Sequence, residues 1–212
     1  LANTEWSNSS LAEADLYLIS VSDNAITGCA KLLHIPQGAV VAHTAGCCPM
    51  EALTPHEHRA VFYPFQTFSV GRKVDFKKGY IFIEGATEHA LQTVEKAAHA
   101  LTTKVLPADT ARRAVIHLSG VFACNFVNAL YSMATDLLDE REGLPFDVLR
   151  PLIEETAAKA VEAAHPRNVQ TGPAVRGDKA VAERHVAMLG EANQQEIYKL
   201  LTDYIWQTSR KI

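Results

Sequence analysis

From Asp109 to Glu142 the chain contains no proline, and its one interior glycine is Gly120. Proline and glycine are the residues that interrupt helices, so this stretch is free to form one long helix. Apolar residues recur in it at Leu118, Phe122, Phe126, Ala129, Met133 and Leu137, the three- and four-residue spacing of a helix face. Val115, Val121, Val127 and Leu130 widen that face until it nearly encircles the helix. A helix apolar on most sides has to be covered, at the centre of a bundle or in a dimer interface. Gly143-Leu144-Pro145 ends it. Further helices are predicted over residues 146–164, 179–189 and 194–207, so everything after Pro107 is predicted to be helical.

The half before Pro107 reads differently. Short β-rich runs at 16–21, 40–44, 60–63, 80–84 and 104–106 alternate with helical ones at 24–33 and 87–101. Strands alternating with helices argue for an α/β fold with a mostly parallel sheet. A chain of 212 residues can bury one good core or two small ones. The expected division is 1–107 and 108–212.

Charge and cysteine content narrow the function. The net charge is −4, and each half carries −2 (8 basic and 10 acidic residues through 106, 12 and 14 after it). Neither half offers the basic surface that a phosphate backbone demands, so no nucleic-acid partner is expected. Cys29, Cys47, Cys48 and Cys124 lack the density of a disulfide scaffold and any C-x-x-C spacing. A reducing cytoplasm is the simplest home. No uninterrupted apolar run reaches about 18 residues, so no membrane span is expected. The start has no basic n-region or signal-peptide core. Asn8-Ser9-Ser10 as a sequon and Arg176-Gly177-Asp178 as an adhesion tripeptide are read as chance matches.

Polar residues gather where strands end. Ser22 and Asp23 follow the first strand, and His43 and Thr44 end the second. In an open α/β sheet, ligands bind beyond the carboxyl ends of the strands. These residues either face a cofactor or simply cap and close their loops. After the third strand comes Phe62-Tyr63-Pro64-Phe65-Gln66-Thr67-Phe68-Ser69. Gln66 and Thr67 set an amide and a hydroxyl between aromatic residues, which suits a nicotinamide or a small polar substrate, or equally a bonded loop packed on the core.

On the long helix, His117 and Asn125 stand about two turns apart and share a face that Asn128 can join. A histidine in an apolar cleft is a candidate general acid or base, and an asparagine can orient a substrate oxygen. The alternative is a set of satisfied polar groups fixing helix register. Further on, Thr171-Gly172-Pro173-Ala174-Val175-Arg176-Gly177-Asp178 places Arg176 and Asp178 between stiff backbone positions at the start of a helix. That turn suits a polar ligand, a second subunit, or plain helix capping. A metal site drawn from His34, His43, Cys47, Cys48, His56 and His58 matches no zinc spacing, and none is expected. No G-x-S-x-G nucleophile appears.

Taken in order, SVSDNAI, VAHTAG, YPFQTFS, the His117…Asn125 helix and TGPAVRGD resemble one family, the Rossmann-like proteins with a DUF2520 domain. That family is similar to F420-dependent NADP oxidoreductases, pyrroline-carboxylate reductases and 6-phosphogluconate-dehydrogenase-like enzymes. The resemblance implies a partial Rossmann-like parallel sheet that binds NADP or NAD, followed by an all-α domain that dimerises. It implies cofactor contacts from Ser22, Asp23, His43, Thr44, Gln66 and Thr67. His117 and Asn125 would be the acid/base and orienting residues, with Asn128, Arg176 and Asp178 toward a small-molecule substrate. One departure stands out: the sequence has no G-x-G-x-x-G phosphate loop. The first strand would hold the place of the fourth in the Rossmann order, and without its neighbour it would expose an apolar edge. The expectation is therefore a fragment of a longer protein, with weak or absent cofactor binding.

The expected function is a cytoplasmic NAD(P)-dependent oxidoreductase acting on a small carbonyl, imine or hydroxy compound. The alternative is a dinucleotide-binding sensor or scaffold dimer that does no chemistry.

Overall fold

In the computed structural model, residues 11–209 are described, and the Asn8-Ser9-Ser10 sequon lies outside them. The chain divides into two compact units, Leu1–Tyr131 and Ser132–Ile212. The division lies within the long helix rather than at the change of composition after Pro107. The helix's first turns pack on the sheet through Ile116 and Arg113 and so belong to the sheet unit.

Among the described residues the sheet has five strands in sequential order: β1 (Leu16–Ile19), β2 (Val40–His43), β3 (Arg59–Phe65), β4 (Tyr80–Gly85) and β5 (Val105–Pro107). β1, β2 and β3 run parallel. β4 then turns antiparallel to β3, and β5 runs parallel to β4. The expectation of a mostly parallel sheet holds for three of the four pairings. Among the described residues β1 pairs with β2 alone, and its Leu18 is exposed.

Side chains alternate across a strand, and this sheet buries both faces. Val40, Ala42, Ala60, Phe62, Ile81 and Ile83 face one way, against Ala90, Val94 and Ala98 of α2 (Glu88–His99). Ile19 and Val41 face the other way, against Ile26 and Ala30 of α1 (Asp23–Leu32). Val61, Tyr63 and Phe82 share that second face with Ile116 of α3 (Thr110–Gly120). This is a Rossmann-like three-layer arrangement, and the central strands β2, β3 and β4 are near-continuously apolar because their middle residues are covered on both faces.

Because β1, β2 and β3 are parallel, their carboxyl ends lie along one edge. α3 starts after β5, its N-terminus capped by the Asp109 carboxylate, which accepts from the Arg112 N–H at 2.8 Å. From there it climbs the sheet, with Arg113 beside Glu84, His117 beside Tyr63 and Gly120 beside Phe65. A Cβ on Gly120 would stand 2.7 Å from the Phe65 ring, so glycine permits this close crossing. After α3 the helix widens into a π turn over Val121–Phe126, then continues as α4 (Val127–Glu142).

In the second unit, α5 (Arg150–Glu162), the short α6 (Pro173–Arg176), α7 (Lys179–Met188) and α8 (Ala192–Ser209) follow. The predicted helices over 146–164, 179–189 and 194–207 match three of these. No described residue of this unit is buried, and Leu152, Val161, Leu200 and Tyr204 are all exposed. By length and composition alone, the helix over 110–142 is also apolar enough to cross a membrane. His117, Asn125 and Asn128 interrupt its apolar run without lowering the mean hydropathy far.

Candidate active site

The carboxyl edge of β1, β2 and β3 gathers the polar strand ends. Ser20 and Thr44 lie across from each other, with hydroxyls 3.4 Å apart. Ser22 precedes α1, but its hydroxyl makes no cap bond, and Asp23 is exposed in the first turn. Beyond β3, the Gln66 side-chain carbonyl accepts from the Thr67 N–H at 2.8 Å and its hydroxyl at 3.3 Å. With its oxygen so engaged, Gln66 keeps its NH₂ as a neutral donor.

His43 is placed otherwise. It is fully buried, and its Nδ1 accepts from the Ala45 N–H at 3.2 Å. The proton therefore sits on Nε2, which closes no hydrogen bond among the described residues. Burial first, and the Arg113 guanidinium second, hold its pKa down at about 4. The ring shapes the loop after β2 from within. Between the ordinary value of 6.5 and about 4, the unfolded chain takes up a proton that the folded chain refuses. Stability should thus fall as pH falls through that window, by roughly 3 kcal/mol in all. His43→Leu is expected to flatten this part of the stability–pH curve measured by urea unfolding, and an unchanged curve would contradict the assignment.

Arg113 ties the loop to α3 and the sheet. It is fully buried and forms an ion pair with Glu84. It also donates to the carbonyls of Cys48 (2.8 Å) and Ala108 (3.2 Å) and to the Thr110 hydroxyl (3.3 Å). The loop so held brings Gly46 over His117 and Tyr63. A Cβ on Gly46 would stand 2.5 Å from His117 Nδ1 and 2.9 Å from Tyr63 Cζ.

His117, half-buried, has its Nδ1 3.2 Å from the Tyr63 hydroxyl. Phe65 and Phe82 pack against the Tyr63 ring at 6.0 and 6.3 Å and make an apolar wall beneath the pair. Asn125 and Asn128 are exposed further along the same helix. Eight residues of ideal α-helix make more than two turns. The π turn uses extra residues, which brings Asn125 round toward the azimuth of His117. Sequence reasoning missed Tyr63, Arg113 and the π turn. Tyr63 sat inside a quoted motif but read as the last residue of a buried strand.

In the second unit, Gly172 (φ +106°) and Gly177 (φ +69°) bracket α6 in backbone conformations that favour glycine. Trp206 also lies where a Cβ on Gly177 would be. Asp178 caps α7, accepting from the Val181 N–H at 3.1 Å, so one of its oxygens is committed to structure. Arg176 is exposed. α6, α7 and α8 enclose a cleft of about 640 Å³, lined among others by Asp178, Val186, Tyr198 and Trp206. Among the described residues no cluster of three or more potential metal ligands occurs.

Fold and strand-edge site together define a Rossmann-like α/β protein with a helical C-terminal part. The chain belongs to the family described as Domain of unknown function (DUF2520), whose pattern matches residues 79–205. It is similar to BF3122 of Bacteroides fragilis, described as a candidate NADP oxidoreductase. The two are 39% identical with a TM-score of 0.87, over 94% of this chain and 78% of that one. Protein TM1727 of Thermotoga maritima shares the fold at 22% identity and a TM-score of 0.77, over 95% and 81% of the two chains. An NADH-preferring ketol-acid reductoisomerase from an uncultured archean shares it more distantly, at 15% identity and a TM-score of 0.53, over 91% and 63%. No curated protein matches the sequence.

Proposed function

We propose that this protein is a cytoplasmic NADP- or NAD-dependent oxidoreductase acting on a small carbonyl, imine or hydroxy compound. The observation that carries the proposal is the His117–Tyr63 pair near the end of β3, on the sheet edge where the parallel strands β1 and β2 also end, with Ser22 and Asp23 following β1, Thr44 following β2, and Gln66 and Thr67 following β3. A 39% identical relative described as a candidate NADP oxidoreductase supports it.

The donor set fits one half of a dinucleotide. Hydroxyls of Ser20, Ser22 and Thr44 and the Gln66 amide are neutral groups suited to a ribose and a carboxamide. Asp23 in the first turn of α1 suits a hydroxyl better than a phosphate. His43 supports the loop rather than touching a ligand. A bound nicotinamide would supply or accept the hydride. His117 would hold the proton exchanged with the substrate, Asn125 would orient the reacting oxygen or nitrogen, and the aromatic wall would exclude water. Asn128 is the proposed substrate-side group of the sheet unit; within the helical unit Arg176 and Asp178 are proposed to hold a small polar ligand, Arg176 as a fork for an anionic part.

The exposed apolar surface of the helical unit is proposed to be covered by a second copy, giving a homodimer. Calorimetric titration of NADPH and then NADH tests the central reading. Heat of binding with either supports it, and none with either at about millimolar concentration would sink it.

A further inference from the structure

Tyr63 is nearly buried at the end of β3, and its oxygen lies 3.2 Å from His117 Nδ1. Either group could donate, depending on the histidine tautomer. The surroundings of the phenol decide which. A phenol carries one proton, and burying that proton without an acceptor costs about 1–3 kcal/mol. Among the described residues, His117 Nδ1 is the one hydrogen-bond partner of this hydroxyl. The backbone at Gly46 and the rings of Phe65 and Phe82 pack around it, and Cys47 and Asp23 act on it electrostatically without closing a hydrogen bond to it. Were Nδ1 protonated, the phenol would accept and its own hydrogen would have no protein acceptor.

We infer that Tyr63 donates to Nδ1 and is a positioning residue that holds neutral His117 as its Nε2–H tautomer. Burial raises the Tyr63 hydroxyl above its ordinary range, with Cys47 adding to the effect, so it keeps its proton at neutral pH. Gly46 belongs to the same device, since any side chain there would push the two rings apart. The ring edge away from Tyr63 then carries an N–H. An N–H polarises a carbonyl or imine that is to be reduced and does not take a proton from an alcohol. This chemical consequence rests on the oxidoreductase reading, whereas the tautomer itself does not.

The test is nitrogen-15 NMR of the histidine-labelled chain at about pH 9, where an imidazole is neutral. His117 signals are assigned by their loss in His117→Gln. The wild type should show a protonated-type Nε2 and a pyridine-type Nδ1 shifted by an incoming hydrogen bond. In Tyr63→Phe, which keeps the packed ring and removes one oxygen, that shift should be lost while the other histidine signals stay. An Nδ1–H tautomer in the wild type overturns the inference without any variant. So does an unchanged His117 spectrum in Tyr63→Phe. NADPH added to the same samples separates the two ideas: an Nε2–H tautomer with no NADPH binding sinks the oxidoreductase reading and leaves the pair standing.

Discussion

Arg113→Ala is expected to lower the unfolding free energy by about 3–5 kcal/mol, read as a fall in the urea midpoint. Arg113 is fully buried, and one guanidinium joins Glu84 of β4, the Cys48 carbonyl of the loop after β2, and the Ala108 carbonyl and Thr110 hydroxyl at the start of α3. Removing it leaves two carbonyls and a carboxylate without their donor. Glu84 is 19% exposed, so water can recover part of its loss, and the lower end of the range is the better expectation. Arg113→Lys should rescue little, because an ammonium on a flexible stem cannot fork to so many acceptors. The same change should loosen the loop that carries Gly46 over the site, seen as faster amide exchange at residues 44–48. A loss under about 1 kcal/mol would show that the arginine is not the tie described here.

His117→Ala is expected to cut turnover by roughly 10²- to 10⁴-fold in an assay where a small carbonyl or imine supports NADPH oxidation. Affinity for NADPH should stay nearly unchanged, because the proposed dinucleotide contacts come from other residues, Ser22, Thr44 and Gln66 among them. Stability should fall by about 1–3 kcal/mol, since the half-exposed ring packs loosely but the Tyr63 hydroxyl loses its one acceptor. Equal turnover in the variant would remove His117 from the mechanism. NADPH binding without any turnover in the wild type would favour the sensor or scaffold alternative.

Much of the fold is legible in the chain, for reasons that differ by segment. The strands 40–44 and 80–84 are short, apolar and β-branched or aromatic, the signature of a sheet buried on both faces. The long helix shows itself through missing proline and regular apolar spacing. What periodicity could not supply was direction: nothing in residues 66–79 announces that β4 returns antiparallel to β3. Nor does it reveal the π turn at Val121–Phe126, because extra residues in a turn leave no mark on an almost wholly apolar face.

The site was legible by neighbourhood more than by role. Reading polar residues at strand ends singles out the carboxyl edge of β1, β2 and β3, but His43 at one of those ends turns inward, since alternation along β2 points Val41 and His43 to the same buried face. Tyr63 follows the same alternation from Val61 and faces α3, which the sequence did not place over it. Arg113 looked like one more charge on a helix. Its burial depends on Glu84 and Cys48, respectively 29 and 65 residues away along the chain, and no local pattern encodes that meeting.

The most direct test of the central claim is amide chemical-shift mapping of the nitrogen-15-labelled chain during titration with NADPH. The account predicts shifts at Ser22, Asp23, Thr44, Gln66 and Thr67 and at the Gly46 amide above His117, even if binding is weak. Shifts confined to other parts of the chain, or none up to about millimolar NADPH, would contradict it.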